Sequence, residues 1–471
     1  MARMPEPGDH VGGFLVGERI HSGGMGSLFR VTGHEPGPPL VMKVPRLGYD
    51  EEGGNVVGYE VEQMVLGALS GSHVPRLVAA GDLATQPYLV MEYVEGRSLE
   101  DWASRAPLPA EEVARLGASL ATAIHSLHAQ EVIHLDVKPG NVIIRPGGEA
   151  VLVDLGLARH AHFPDLLAEE TRGPVGSPSY MSPEQVMGER GEPRSDVFAL
   201  GVVLYELATG ELPFGAPISF SGLRQRLYRD PPPPRALVPA VPPWLQEIVL
   251  RCLEPEPEAR YATAAQAALD LKSPDQVAVT ERGLRTRRLG LGARLRRWLR
   301  VAGREPAAVS RPSLLLANAR IVLAAIATQH ENEALFRALR DAVRRLLEKD
   351  ERARLACVTV VRTPATLGGS GEEDSATGIR VKHLQRLRDW AVPLRLPARR
   401  VSFHVLESTD PADALLEYAR MNQVDHVVLG APPPGPPLSG LVATVSTTVA
   451  ARAPCTVTVV RARAGAEQPG E

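Results

Sequence analysis

Short apolar runs between polar turns fill the first half of the chain. The last third instead alternates apolar strands with amphipathic segments. Leu40-Val41-Met42-Lys43-Val44 and Tyr88-Leu89-Val90-Met91 read as buried strands. The stretch from Ile20 to Phe29, with Gly23, Gly24 and Gly26 at its centre, reads as strand, glycine turn, strand. Val142-Ile143-Ile144 and Ala150-Val151-Leu152-Val153 flank Pro146-Gly147-Gly148, which predicts a tight hairpin. From 313 to 463 the pattern reads βαβαβαβαβ. Strands are expected at 314–327, 355–361, 400–406, 425–430 and 455–461, and helices at 333–348, 378–392, 412–421 and 440–452. Thr409-Asp410-Pro411 is a helix start, with Asp410 able to cap and Pro411 at the first helical position. Near-continuous apolar strands separated by helices predict a parallel sheet covered on both faces.

Length divides this pattern into regions. The 471 residues suffice for two or three domains. We place a first region at 11–272, a basic linker at 273–312, the α/β region at 313–463 and a disordered tail at 464–471. The linker holds ten arginines between Arg282 and Arg311 against Glu281 and Glu305. Within it Leu291, Leu295, Trp298 and Leu299 fall at i, i+4, i+7 and i+8, a basic amphipathic helix if helical. It reads either as a helix packing Trp298 against one of the domains, or as a segment lying on an anionic membrane surface or in an acidic groove. Net charge of -3 gives no global field for nucleic acid. Cys252, Cys357 and Cys455 show no metal or disulfide spacing and read as reduced core residues of a cytoplasmic protein. The polar, Pro-rich opening does not read as a signal peptide, and no apolar run reaches the ~18 residues of a transmembrane segment.

The candidate chemistry lies in His134-Leu135-Asp136-Val137-Lys138-Pro139-Gly140-Asn141, followed by Asp154-Leu155-Gly156. The intervening hairpin brings Asp136, Asn141 and Asp154 to one point. Two carboxylates and an amide there can hold Mg²⁺ and orient a hydroxyl for phosphoryl transfer. The constellation resembles the catalytic core of bacterial eukaryotic-like serine/threonine protein kinases, whose loops read His-Arg-Asp with a later Asn, then Asp-Phe-Gly. The resemblance implies an α+β two-lobed protein kinase fold, with an N-lobe over about 11–92 and a C-lobe over about 93–272. It also implies ATP and Mg²⁺ as cofactors and Ser/Thr hydroxyls of protein substrates as acceptors.

On that resemblance Asp136 is the catalytic base, Lys138 stabilises the transferred group, and Asn141 and Asp154 hold the metal. Lys43 contacts the phosphates and pairs with Glu62, with Glu60 as the alternative. Ile20, Gly23, Gly24, Gly26, Leu28, Val41, Met91 and the hinge groups at Glu92 and Val94 complete the ATP site. Ser182-Pro183-Glu184 closes an activation segment that starts at Asp154. Glu184 is expected to pair with Arg260, and Asp196 to orient the catalytic loop from below. Thr171, Ser177 and Ser179 are candidate autophosphorylation positions. Lysine two residues after Asp136 matches serine/threonine rather than tyrosine kinases.

Two positions depart from the pattern. His21 stands where the first loop glycine is expected. Leu135 replaces the arginine that ordinarily pairs with a phosphorylated activation segment, a contact leucine cannot make. Activity is therefore expected to depend little on such phosphorylation. Leu155 in place of phenylalanine keeps an apolar side chain.

The 313–463 region resembles a universal stress protein domain, mainly through Val427-Val428-Leu429-Gly430 and Val449 to Val457. Ile326 falls where nucleotide-binding members carry an aspartate. Pro433 replaces a phosphate-loop glycine, Ala443 and Thr444 fall on the final Gly-Ser, and Gly430 is retained. The expected role is regulatory or dimerising, as a homodimer, without nucleotide binding. A pseudokinase scaffold is the alternative for the first region, and a small-molecule kinase a third reading that the long activation segment disfavours.

Overall fold

The computed structural model describes residues 4–23, 26–33, 37–46, 54–81, 86–161, 163, 165–170, 174–217, 219–287, 321–329, 332–348, 350, 353–362, 373–397, 400–422, 424–431 and 444–461. Gly24, Thr171, Pro433, Ala443, the 291–299 segment and the 464–471 tail lie outside them. The chain separates into two compact units, Met1–Pro274 with Val279–Ala317, and Asp275–Ala278 with Asn318–Glu471.

The first unit opens with strands β1 (His10–Val11), β2 (Phe14–Gly23), β3 (Gly26–Thr32) and β4 (Leu40–Pro45), helix α1 (Gly54–Ala68), and strands β5 (Leu77–Ala80) and β6 (Leu89–Glu92). They form an antiparallel sheet in the order β1-β2-β3-β4-β6-β5. Its two faces follow from register, because paired residues point the same way while neighbours along a strand alternate. Phe29, Met42 and Val90 are cross-strand partners and pack with Val16, Val31, Val44 and Tyr88 into one apolar cluster. The opposite face therefore carries Leu28 opposite Lys43, and Val41 opposite Met91.

A second set of elements follows: β7 (Arg97–Ser98), α2 (Glu100–Ala103), α3 (Ala110–His128), β8 (Val132–Ile133), β9 (Val142–Ile144), β10 (Ala150–Leu152), β11 (Arg159–His160), α4 (Leu166–Glu170), α5 (Pro183–Val186), α6 (Arg194–Thr209), α7 (Phe220–Arg224), α8 (Pro234–Leu237), α9 (Pro243–Cys252) and α10 (Ala264–Lys272). The two apolar runs predicted as a hairpin pair antiparallel as β9 and β10. Helix α6 is buried almost throughout and serves as the axle of this lobe. It meets α9 so closely that a Cβ on Gly201 would lie 2.6 Å from the Cys252 Cβ. Cys252 is fully buried there, which pushes its thiol up to about 12.

The stretch expected to begin a linker does not start as one. Residues from Val279 form a further helix, α11 (Glu281–Leu284), that belongs to the first unit. A four-residue helix has no stability of its own. It is held by two side chains of α9. Glu247 accepts hydrogen bonds from Thr280 N (3.0 Å), Thr280 Oγ1 (2.8 Å), Gly283 N (2.8 Å) and Arg282 Nη1 (2.8 Å). Gln246 Nε2 donates to the carbonyls of Arg282, Gly283 and Arg285, and its oxygen accepts from Arg235 N. Both side chains are buried, so these bonds satisfy groups that water cannot reach.

The second unit contains β12 (Ile321–Ala325), α12 (Glu333–Glu348), β13 (Arg354–Val361), α13 (Glu373–Ala391), β14 (Val401–Glu407), α14 (Pro411–Met421), β15 (His426–Gly430), α15 (Val445–Arg452) and β16 (Thr456–Val460). All five strands run parallel in the order β14-β13-β12-β15-β16. The Asp410 carboxylate caps α14 by accepting from Ala412 N and Asp413 N. Ile326, 2% exposed, packs into the cluster of Val322, Leu339, Leu355 and Val428. Among the described residues no helix is long and apolar enough to cross a membrane.

Candidate active site

The site forms where the open face of the six-stranded sheet meets the loops around β8 to β10. Lys43 projects from β4 onto that face and Glu62 from α1. Their Nζ–Oε2 distance is 2.6 Å, and Lys43 Nζ also lies 2.7 Å from Asp154 Oδ1. Glu62, not Glu60, is thus the partner of Lys43. Burial opposes the charge on Lys43, but the Glu62 and Asp154 carboxylates override it and hold Lys43 above its ordinary value. Burial likewise raises Glu62. At Asp154 the burial penalty is overcome by Lys43, then Lys138 and His134, and its carboxyl is held low.

The catalytic-loop residues converge as the sequence suggested. Asp136 is 4% exposed and its carboxylate is fully engaged. Its Oδ1 accepts from Ser177 N (2.8 Å) and its Oδ2 from Asn141 Nδ2 (3.0 Å), with Lys138 Nζ 2.9 Å from Oδ2. Lys138 Nζ also donates to Ser177 Oγ at 2.9 Å. Asn141 Nδ2 further donates to the Asp136 carbonyl, and the Asn141 carbonyl accepts from Val153 N, one residue before Asp154. Asp136 therefore holds the Asn141 amide by its nitrogen, which turns the amide oxygen away. That oxygen and the Asp154 Oδ2 are hard donors that suit Mg²⁺ completed by phosphate and water. Among the described residues no cluster of three or more His, Cys, Asp or Glu could hold a metal by itself.

The backbone of this loop is strained and braced. Leu135 and Asp154 both sit at φ 62, the left-handed region where a leucine costs energy. Asp196, 1% exposed on α6, fixes the first strain: its carboxylate accepts from Leu135 N, His134 N and His128 Nε2, each at 2.8 Å. Burial acts against that carboxylate, but His128 and His134 hold it low. From the other side Gln185 Nε2 donates to the Leu135 carbonyl at 2.8 Å. Leu135 itself is buried, filling with carbon the place of an expected cation.

The segment from Asp154 to Glu184 ends in a capping box, where Ser182 and Gln185 bond reciprocally at the start of α5. Glu184 meets Arg260 through two bonds, Nη1–Oε1 at 2.6 Å and Nη2–Oε2 at 2.8 Å, and also accepts from Ser195 Oγ. Burial disfavours the Glu184 charge, but Arg260 holds its carboxyl low. Arg226 on the α7 side is fully buried and donates to the carbonyls of Met181, Pro178 and Leu223.

The remaining expected site residues line the opposite wall. Gly23 and Gly26 pair across the end of the β2–β3 hairpin. A Cβ on Gly26, at φ +157, would lie 2.4 Å from the Val44 carbonyl, so only glycine fits. Ile20 falls at a register irregularity between Arg19 and His21 and is 39% exposed. At the end of β6 the Glu92 N–H donates to the Arg76 carbonyl and Tyr93 N–H to Pro39. Among the described residues Val94 N–H keeps no protein acceptor. The Glu92 side chain pairs with Arg145 at 2.8 Å. The sequence reading missed Gln185, His128, Arg145 and Arg226. Their partners are backbone groups or residues far along the chain, so no short motif announces them.

Residues 14–271 match the family model described as protein kinase domain, more than half of the chain, and residues 318–461 match the universal stress protein family. The serine/threonine-protein kinase Pkn1 of Myxococcus xanthus is 32% identical over 292 residues, covering 60% of this chain and 42% of Pkn1. PknL of Mycobacterium bovis is 31% identical over 261 residues, covering 55% and 65% of the two chains. PknB of Mycobacterium leprae is 31% identical over 263 residues, covering 55% and 42%. The chain thus spans about half the length of the curated relatives it matches. Among solved structures, a point mutant of the Mycobacterium tuberculosis PknI kinase domain is 21% identical, with a TM-score of 0.45, over 58% of this chain and all of that one.

Proposed function

We infer, from the premise that the chain belongs to the protein kinase family, that it transfers the γ-phosphoryl group of ATP to serine or threonine hydroxyls of protein substrates. The observation that carries this is the placement of Asp136 against Lys138, Asn141 and Ser177, beside the Lys43–Glu62–Asp154 cluster. Asp136 orients the acceptor hydroxyl and takes its proton as the oxygen attacks the γ-phosphorus. The bond from that phosphorus to the bridging oxygen breaks, and its electrons leave with ADP. Lys138 is placed to offset charge on the group in transfer. Lys43 would contact the α- and β-phosphates, with Glu62 fixing its direction. Asn141 and Asp154 would hold Mg²⁺, which when bound neutralises charge on the phosphate oxygens. Val94 N–H is the hinge donor offered to the adenine edge, with Val41, Met91 and Leu28 as apolar walls.

Lysine at position 138 and the names of the relatives support serine/threonine acceptors. The second unit is read as regulatory or dimerising, since Ile326 puts an aliphatic side chain where a nucleotide-binding carboxylate would stand. The buried, unpaired cysteines Cys252 and Cys357 suit a cytoplasmic setting. The test is incubation of the whole chain with labelled ATP, Mg²⁺ and a general protein substrate. Label on serine or threonine is the expected result. ATP binding without transfer to itself or to any protein would point to the pseudokinase reading instead.

A further inference from the structure

Leu135 removes the arginine that would grip a phosphorylated activation segment, yet the first unit keeps an anion-binding pair elsewhere. Arg159 lies on β11, which pairs with β8 directly before the catalytic loop. Arg190 lies between α5 and α6 and is 9% exposed. Both point at Asp165, which comes from the activation segment itself at the start of α4. Arg190 Nε lies 3.1 and 3.2 Å from the two Asp165 oxygens, and Arg159 Nε lies 3.6 Å from Oδ2. Arg190 Nη2 also donates to the Leu157 carbonyl at 3.0 Å, three residues after Asp154. One guanidinium thus ties two points of the segment to the lobe beneath it.

We propose that Asp165 is a positioning residue that pins the activation segment in the role a phosphoryl group plays elsewhere, a fixed internal anion between Arg159 and Arg190. The inference rests on the kinase reading above and deepens it. A carboxylate built into the chain needs no modifying enzyme and no signal, so the segment stays docked and the activity is constitutive at this switch. Burial disfavours the Arg190 charge while Asp165 supports it. Losing the carboxylate would leave a buried cation with a single backbone acceptor, and the segment would release. The pair is not saturated: Arg159 Nε and Arg190 Nη1 are buried without a hydrogen-bond partner. The competing reading is therefore that a phosphoryl group, rather than Asp165, is the functional anion.

The test uses the full chain, before and after treatment with a protein phosphatase, beside Asp165→Asn, Asp165→Glu and Arg190→Lys. Phosphatase-treated parent chain is expected to keep its rate within about twofold. Asp165→Asn should lower kcat about tenfold or more with the KM for ATP within about threefold, and Asp165→Glu should recover most of the rate. Limited proteolysis between 157 and 190 gives a readout without catalysis, and Asp165→Asn should be cut faster than the parent. If phosphatase silences the parent by more than about tenfold while Asp165→Asn stays within about twofold, the proposal is overturned. If the parent transfers no phosphate, the kinase reading fails and proteolysis alone decides Asp165: equal cutting overturns it. Should Asp165→Asn not fold, Arg190→Lys keeps the charge but loses the fork, and a rate within about twofold of the parent overturns the proposal.

Discussion

The two units bury polar groups to different ends. In the first, the acidic Glu62, Asp136, Glu184 and Asp196 and the basic Arg260 are all buried, and each is held by a partner of opposite type or by several donors. In the second, the end of β12 carries Ile326 in the apolar core, and the buried groups beside it are neutral. Thr328 Oγ1 bonds Thr359 Oγ1 at 2.8 Å and His383 Nδ1 at 2.6 Å. A buried charge is costly, so a fold that keeps several directed at one cleft keeps them for chemistry. The second unit carries an aliphatic side chain at the end of β12, and the one arginine it buries among the described residues, Arg354, opens β13 rather than closing a strand. The difference teaches where to look for the reaction.

The sharpest way to break this contrast is Asp136→Asn. It should lower transfer by about 10³-fold or more while ATP binding stays largely intact, because Asp136 faces the hydroxyl rather than the nucleotide. Turnover and nucleotide titration on one preparation check this; loss of ATP binding in a folded variant would remove the assigned role. Lys43→Met should cost roughly 100-fold in rate, since Glu62 and Asp154 then share a buried site without a cation. A rate near that of the parent chain would mean the Lys43 cluster is structural.

The first unit also depends on a short stretch that carries no motif. A chain ending at Pro274 strips Gln246 and Glu247 of the partners supplied by residues 280–285. Compared with a chain ending at Arg287 it should lose roughly 1–3 kcal/mol in denaturant unfolding. Equal midpoints would show that α11 is only laid on the surface. The smallest effect is expected in the second unit. Residues 313–471 alone should fold, and calorimetric titration with ATP should show no binding tighter than about 100 μM. Micromolar affinity would erase the contrast between the units.

Much of this was legible in the chain. Asp136, Asn141 and Asp154 sit within one loop–hairpin–loop, so local spacing alone brings them together. The period of apolar strands and helices gave the parallel sheet in the same way. The helix α11 was not legible: four residues in an arginine-rich stretch carry no periodicity, and their partners lie more than thirty residues earlier on α9. The same holds for Arg190 and Asp165, 25 residues apart across an irregular segment, and for Gln185 and Leu135, 50 apart. Such pairs are set by tertiary closure, and no pattern of short range encodes them.

The docking of α11 also sets a clock on synthesis. Glu247 is made 36 residues before the Gly283 amide that it binds. At roughly 5–20 residues per second, a ribosome needs about 2–7 s to supply that partner. For that interval Glu247 and the Gln246 amide nitrogen lack the partners that residues 280–285 later supply. These last hydrogen bonds of the lobe can form only as the chain moves on toward the second unit. A stall inside residues 247–283 would leave the catalytic loops assembled on an unfinished base.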